Sequence, residues 1–214
     1  MRLHRVPSSA QLLELMPEHK RAELKPLFKT RRVRSISGVS VVAIMPMPAP
    51  CPGKCTYCPT GFAPKSYTGF EPAALRARQN DFDAFKQVSS RLEQFKAIGH
   101  EPSKCELIVM GGTFNSLPLD YQTEFVKSAF DGFNGVASKS LQQAHELNEH
   151  AVHRVIGLTF ETRPDHCSPE QVQQLLVFGA TRVEIGVQSL SDEVHEKTKR
   201  GNTVQDVVNA TRRL

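Results

Sequence analysis

The 214-residue chain lacks any apolar run close to the roughly 20 residues that a membrane-spanning helix needs. Its first residues also lack the apolar stretch of a secretory signal peptide. No internal repeat or low-complexity segment is present, and a hydrophobic content of 39% suffices for a buried core. We therefore expect a folded, cytoplasmic protein without a membrane segment, of one domain or slightly more.

The cysteines lack the even count that is typical of a disulfide framework, since there are five of them. Cys51, Cys55 and Cys58 fall within eight residues, which indicates metal binding in a chain without a secretory signal. Cys105 opens an apolar run, so we expect it in the core. Cys167 precedes a helix start, and we expect it to be a free surface thiol.

Apolar strands alternate with helical patterns along the chain, which predicts an α/β fold with a parallel sheet. One long amphipathic helix is predicted between Pro72 and Gly99. The final helical pattern, 204–214, has no capping signal, so a fifth strand is expected to follow it. Four strands are too few to close a barrel, and the chain is expected to form part of one. The predicted strands are Val41–Met45, Leu107–Met110, Val155–Phe160 and Val183–Val187.

The three clustered cysteines follow the first predicted strand with the spacing Cys-x3-Cys-x2-Cys. A cubane iron–sulfur cluster has four irons and usually takes cysteine thiolates. Three thiolates leave one iron open, and that iron can chelate the amine and carboxylate of S-adenosylmethionine. A zinc site is the alternative, but structural zinc needs a fourth ligand, which only Cys105 or Cys167 could supply as thiolate.

This cysteine loop resembles the signature of the radical S-adenosylmethionine superfamily. Further segments resemble the family formed by the catalytic subunit of Elongator and its prokaryotic homologues. The resemblance implies a partial parallel (βα) barrel holding a 4Fe-4S cluster and S-adenosylmethionine, with the cofactor contacted by Tyr57 and Gly111, Gly112 and Thr113. The resembling segments are 34–45, 65–72, 109–114, 159–165 and 181–189.

The family resemblance implies a tRNA carboxymethyluridine synthase of the acyltransferase class. Its members use acetyl-CoA and a 5′-deoxyadenosyl radical to modify carbon 5 of the wobble uridine. Lys104 matches a family lysine that contacts acetyl-CoA, and an exposed lysine beside a strand is the alternative interpretation. The family's C-terminal acetyltransferase domain has no counterpart here, so a separate chain is a possible partner. The sequence does not indicate the electron donor.

Polar residues at the ends of the third and fourth strands are further candidates for the site. In a parallel βα barrel, polar side chains at the carboxyl ends of strands face the active site. Arg163 and Gln188 are therefore expected to contact S-adenosylmethionine. Glu161 is a further candidate for a hydrogen bond to the cofactor, and an Arg–Glu pair that fills the barrel mouth is the alternative. Glu184 is expected to be structural.

Positive charge is concentrated in residues 1–34, which carry nine Lys or Arg and three Asp or Glu, whereas the whole chain has a net charge of +5. Residues 9–28 read as a helix with a kink at Pro17. We call residues 1–34 the basic arm and expect it to bind tRNA, since polyanions release counterions on binding cations. A solvated amphipathic helix is the alternative. The expected tRNA contacts are Lys29, Arg31, Arg32 and Arg34.

The expected organisation is therefore the basic arm, 1–34, followed by an incomplete radical S-adenosylmethionine core, 35–214. Two other functions stay open at this point. The chain could be a non-catalytic fragment that binds only tRNA or an iron–sulfur cluster. It could also be another radical enzyme that acts on a small molecule.

Overall fold

The computed structural model describes residues 7, 9–28, 36–59 and 63–214. Within this part of the chain, four parallel strands form one sheet in the order β1-β2-β3-β4. Each strand lies beside the next strand of the sequence, and helices connect them, which confirms the predicted α/β fold. The strands are β1 (Val39–Ile44), β2 (Lys104–Val109), β3 (Arg154–Thr162) and β4 (Arg182–Ile185).

Helices from the segments that connect the strands cover one face of the sheet. None of the described helices has the length and apolar character needed to cross a membrane. The helices are α1 (Ser9–Glu14), α2 (Glu18–Phe28), α3 (Pro72–Gln79), α4 (Ala84–Ala97), α5 (Leu119–Asn134), α6 (Leu141–Asn148), α7 (Pro169–Val177), α8 (Asp192–Lys197) and α9 (Val204–Arg213).

The hydrophobic core lies between one face of the sheet and the helices α4, α5 and α7. Val42, Leu107 and Phe160 project from three neighbouring strands into this core and are fully buried. Phe114, from the turn after β2, stacks on Phe160 with ring centroids 5.4 Å apart. Packed aromatic pairs of this kind fix the position of the turn relative to the strand ends.

The prediction of one helix between Pro72 and Gly99 was wrong, because the chain breaks between α3 and α4. Asp81 and Phe82 adopt left-handed backbone angles, with φ of 54° and 56°. Asp83 then caps α4, since its carboxylate accepts a hydrogen bond from the Lys86 N–H at 2.9 Å. The apolar spacing continues across the break because Phe82 packs against the alanines of α3.

The first two helices lie within the predicted basic arm and are separated at Leu15–Pro17, near the predicted kink. Helix α1 contacts α4 of the core. The predicted tRNA contacts Lys29, Arg31, Arg32 and Arg34 lie outside the described residues. The arm as a separate domain, and its binding of tRNA, therefore stay predictions.

Candidate radical cofactor site

A cavity of about 490 Å³ opens at the carboxyl ends of the four strands. The register aligns Ile44 with Val109, Val109 with Phe160, and Thr162 with Ile185, so the four strands end at the same edge. The loops that follow the strands converge there, as they do in other parallel sheets. They bring together the three loop cysteines and Tyr57 after β1, Gly112 and Thr113 after β2, Glu161 and Arg163 at β3, and Glu184 and Gln188 at β4.

The sulfurs of the cysteine loop each have a hydrogen-bond donor close by. Cys51 Sγ accepts from the Gly53 N–H at 3.4 Å, and Cys58 Sγ accepts from the Ser66 N–H at 3.3 Å. Cys55 Sγ lies 3.6 Å from an Arg200 guanidinium nitrogen. Such donors stabilise thiolates, which are the form that binds iron. The donor set therefore fits an iron–sulfur cluster held by three cysteines.

Electrostatics favour the thiolate form of Cys55. Burial alone would raise the pKa of this thiol, but hydrogen bonds from Arg200 and Tyr57 and the charge of Arg163 outweigh it and lower the pKa. All five cysteines of the chain are free thiols. Among the described residues, no three His, Cys, Asp or Glu side chains converge on a point where a single metal ion would sit. In a cubane each cysteine binds its own iron, so convergence on one point is not required.

The other two cysteines are buried away from the cavity. Cys105 is fully buried in β2, as predicted. Cys167 is also fully buried, so the prediction of a surface thiol was wrong. Its Sγ donates to the Arg163 carbonyl at 3.4 Å, and burial raises the pKa of Cys167 to about 11. The turn after β3 buries Cys167, and its position just before a helix start does not predict this burial.

A partly buried carboxylate, Glu161, forms the side of the cavity next to the glycine turn. The Tyr67 hydroxyl donates to both of its oxygens, at 2.7 and 2.8 Å, and the Gly111 N–H donates at 3.2 Å. Burial raises the pKa of Glu161 despite these donors, and the facing carboxylate of Glu184 adds to the rise. Burial and Glu161 also raise the pKa of Tyr67, so its hydroxyl stays protonated and can donate.

The glycine turn after β2 has a backbone that larger residues would not adopt easily. Gly111 and Gly112 have φ of 125° and 77°, in the region that favours glycine. A Cβ at Gly111 would lie 2.9 Å from Pro64 Cβ, and one at Gly112 would lie 3.0 Å from the Lys65 carbonyl oxygen. The turn therefore packs directly against the segment that follows the cysteine loop, and Thr113 Oγ1 lies 3.9 Å from Cys51 Sγ.

Arg163 and Gln188 both line the cavity, but their surroundings differ. Arg163 is 4% exposed, and its guanidinium is bound by Asp165 rather than by Glu161, so the suggested Arg–Glu pair is not formed. Gln188 is exposed and has a left-handed φ of 65°, and it lies in the loop after β4, which ends at Ile185, two residues earlier than predicted. Strained residues of this kind cluster at ligand sites.

Lys104 lies at the opposite end of the sheet from this cavity. It is the first residue of β2 and pairs with Val39 at the start of β1. Five residues of extended strand, roughly 16 Å, separate it from Val109 at the cavity edge. The structure therefore does not bring Lys104 together with the other predicted site residues.

Sequence reasoning missed Arg200 and gave no role to Tyr67 or Asp165. Arg200 follows a short helix without any motif, and its contact with Cys55 joins residues 145 positions apart. Tyr67 belongs to the segment 65–72 that carried the family resemblance, so that motif is the signal that could have found it.

Residues 45–214 match the sequence model of the family described as the Radical SAM superfamily. The chain belongs to this superfamily. Membership implies a 4Fe-4S cluster and S-adenosylmethionine, which agrees with the cysteine loop and the cavity beside it. The match covers most of the chain and includes β2, β3 and β4, and it begins directly after β1.

The chain is also similar to proteins that are named for tRNA modification or for Elongator. It is 44% identical to a tRNA uridine(34) acetyltransferase of Methanocaldococcus jannaschii, over 100% of this chain and 42% of that protein. It is 38% identical to human Elongator complex protein 3, over 94% of this chain and 39% of that protein. The chain thus spans about two fifths of the length of these relatives.

A solved structure supports the fold independently. The archaeal Methanocaldococcus infernus Elp3, with an N-terminal deletion, superposes with a TM-score of 0.65 at 39% sequence identity. The superposition covers 81% of this chain and 34% of that protein. The parallel sheet and the order of its elements are therefore those of a radical S-adenosylmethionine core.

Proposed function

We propose that this chain carries out the radical step in the modification of the wobble uridine of tRNA at carbon 5. The observation that carries the proposal is the meeting of the cysteine loop, the glycine turn and Glu161 in one cavity. The relatives' names supply the substrate class, since one at 44% identity is a tRNA uridine(34) acetyltransferase. Acetyl-CoA is the proposed co-substrate, and the proposal places the reaction in the cytoplasm.

In this proposal, Cys51, Cys55 and Cys58 hold three irons of a 4Fe-4S cluster. When bound, the cluster and S-adenosylmethionine together supply a 5′-deoxyadenosyl radical. The backbone of Gly111–Thr113 and the side chain of Gln188 would hold the methionyl end of the cofactor. Glu161, which Tyr67 and Gly111 hold in place, would accept a hydrogen bond from the cofactor's amine. Tyr57, which lines the cavity, would contact the adenine.

The basic arm is the proposed tRNA contact. Its lysines and arginines would release counterions from the tRNA backbone, so the affinity should fall steeply as salt rises. Replacing Arg31, Arg32 and Arg34 by glutamine should weaken binding of all tRNAs alike and reduce the salt slope. Replacing Arg154 and Arg182, which are exposed but already paired with Glu149 and Glu106, is the matched control and should leave binding unchanged.

The decisive experiment is mass spectrometry of nucleosides from tRNA incubated anaerobically with the reconstituted protein, S-adenosylmethionine, acetyl-CoA and a reductant. A new carbon-5 carboxymethyl group on uridine 34 supports the proposal. Binding of tRNA with no modified nucleoside and no 5′-deoxyadenosine would instead identify a non-catalytic binding protein. Formation of 5′-deoxyadenosine with an unmodified tRNA would point to a small-molecule substrate.

A further inference from the structure

The sulfur of Cys55 lies between two buried guanidinium groups. Arg200 Nη1 is 3.6 Å away and Arg163 Nη1 is 3.8 Å away. The two arginines are only 6% and 4% exposed. The sulfurs of Cys51 and Cys58 accept instead from neutral backbone N–H groups. Positive charge in the cysteine loop is therefore concentrated on one side, at Cys55.

The two arginines differ in how their charges are balanced. Arg163 forms a bidentate pair with Asp165, with nitrogen–oxygen distances of 2.9 and 2.8 Å. Arg200 donates to the Gly186 carbonyl, and its Nε has no partner. Among the described residues, no carboxylate lies within 4.0 Å of Arg200. A buried charge without a counter-ion is costly, so an anion is expected beside Arg200.

The backbone holds this pair against the cysteine loop. The Thr56 N–H donates to the Thr198 carbonyl at 2.9 Å, and Arg163 Nη2 donates to the Arg200 carbonyl at 2.8 Å. A Cβ at Gly53 would lie 2.0 Å from Arg163 Nη1, so the glycine leaves the space through which that guanidinium reaches Cys55. The cysteine loop and residues 198–200 thus form one interlocked unit.

We propose that Arg200, assisted by Arg163, is a positioning residue whose charge makes the cluster at Cys55 easier to reduce. The inference rests on the proposed function, because it assumes that the cluster is held by the three loop cysteines. A reduced cluster carries one more negative charge than an oxidised one, and nearby fixed cations stabilise it. Arg200 has the larger effect, because Asp165 already balances much of the charge of Arg163.

The test is a redox titration of the anaerobically reconstituted protein, followed by electron paramagnetic resonance. Arg200→Gln keeps hydrogen-bond donors but removes the charge, whereas Arg200→Lys keeps the charge. We expect Arg200→Gln to lower the equilibrium constant of one-electron reduction about tenfold, which corresponds to about 59 mV toward more negative potential. Arg200→Lys should stay near the unaltered protein. Arg78→Gln, on the exposed surface of α3, removes the same charge elsewhere and should change nothing.

Gly53→Ala tests the same arrangement without removing any charge. Its methyl group displaces Arg163 from Cys55, so the reduction constant should fall about as much as in Arg163→Gln and less than in Arg200→Gln. An unchanged potential in Arg200→Gln, or equal shifts in Arg200→Gln and Arg200→Lys, would overturn the inference.

Iron content separates the remaining outcomes. If Arg200→Gln binds no iron while Arg200→Lys does, the charge is needed to hold the cluster and not to ease its reduction, which overturns the inference. If both variants fail to bind iron, Arg200 has only a packing role and the inference is wrong. If the unaltered protein itself binds no iron, the proposed function fails instead.

Discussion

The hydrogen bonding between Tyr67 and Glu161 should contribute more to the free energy of unfolding at neutral pH than in acid. The hydroxyl donates to both carboxylate oxygens, at 2.7 and 2.8 Å, in a half-buried setting. Hydrogen bonds to a charged group contribute about 1.5–3 kcal/mol, against about 1 kcal/mol for neutral partners. We therefore expect Tyr67→Phe to lower the free energy of unfolding by about 2 kcal/mol at pH 7, and by about 1 kcal/mol at pH 4.

The direction of this pH dependence follows from the raised pKa of Glu161. Burial raises the pKa of Glu161 in the folded protein above that of an ordinary glutamate. The contribution of Glu161 to the free energy of unfolding is therefore fully present below the ordinary glutamate pKa. It is lost as the pH rises through the pKa of the folded protein. Tyr67 opposes that loss because its hydroxyl donor favours the carboxylate. Without this donor the pKa of Glu161 rises further, and the loss of stability on reaching pH 7 is larger.

Urea unfolding followed by circular dichroism at the two pH values measures both quantities. Tyr121→Phe is the matched control, because the Tyr121 oxygen accepts from the neutral Met47 N–H at 2.9 Å. Both partners keep their charge state between pH 4 and 7, so the cost of Tyr121→Phe should not change with pH. A Tyr67→Phe cost that is equal at the two pH values would refute the account of Glu161.

Three further predictions concern other parts of the chain. Without the cluster, the three loop cysteines should react quickly with iodoacetamide, whereas Cys105 and Cys167 should react only on unfolding, since burial raises their pKa to about 12 and about 11. Gln87→Ala should lower the free energy of unfolding by about 2–4 kcal/mol, because Gln87 pairs with both the N–H and the carbonyl of buried Met45. Glu71→Gln should remove a stabilisation that is present above pH 4.5 and is lost toward pH 2.

The prediction for Glu71→Gln depends on the lowered pKa of the Glu71 carboxylate. Hydrogen bonds from Thr68 and the Gly69 N–H lower the pKa of Glu71 to about 2. If the free energy of unfolding falls between pH 4.5 and pH 2 as much in Glu71→Gln as in the unaltered protein, the prediction for Glu71 is wrong. Equal rates of alkylation at all five cysteines would contradict the prediction for the loop cysteines. Gln94→Ala, on the exposed face of the same helix as Gln87, is the control for the second and should change the free energy of unfolding by less than about 0.5 kcal/mol.

The sequence carried enough information to predict the sheet and the place of the cluster loop. Continuous apolar runs such as Val41–Met45 identify strands that are buried, and the loop after the first strand is where a parallel fold places its ligand site. The break between α3 and α4 was missed because Phe82 keeps the apolar spacing while its backbone turns left-handed. Periodicity reports which side chains are buried and does not report the backbone between them.

The electrostatic environment of the site depended on contacts that no local pattern encodes. Arg163 lines the cavity, but its partner is Asp165, two residues away, and not Glu161. The contact between Arg200 and Cys55 arises only when the turn after α8 meets the loop after β1. Cys167 was expected at the surface, and the fold of the turn after β3 buries it completely.

The central claim is that three loop cysteines hold a cluster that cleaves S-adenosylmethionine. The most direct measurement is the yield of 5′-deoxyadenosine from the anaerobically reconstituted and reduced protein, compared with Cys51→Ala, Cys55→Ala and Cys58→Ala. The account predicts 5′-deoxyadenosine from the unaltered protein and from Cys105→Ala, and none from the three loop variants. Undiminished 5′-deoxyadenosine from Cys55→Ala, or none from an unaltered protein that is fully loaded with iron, would contradict it.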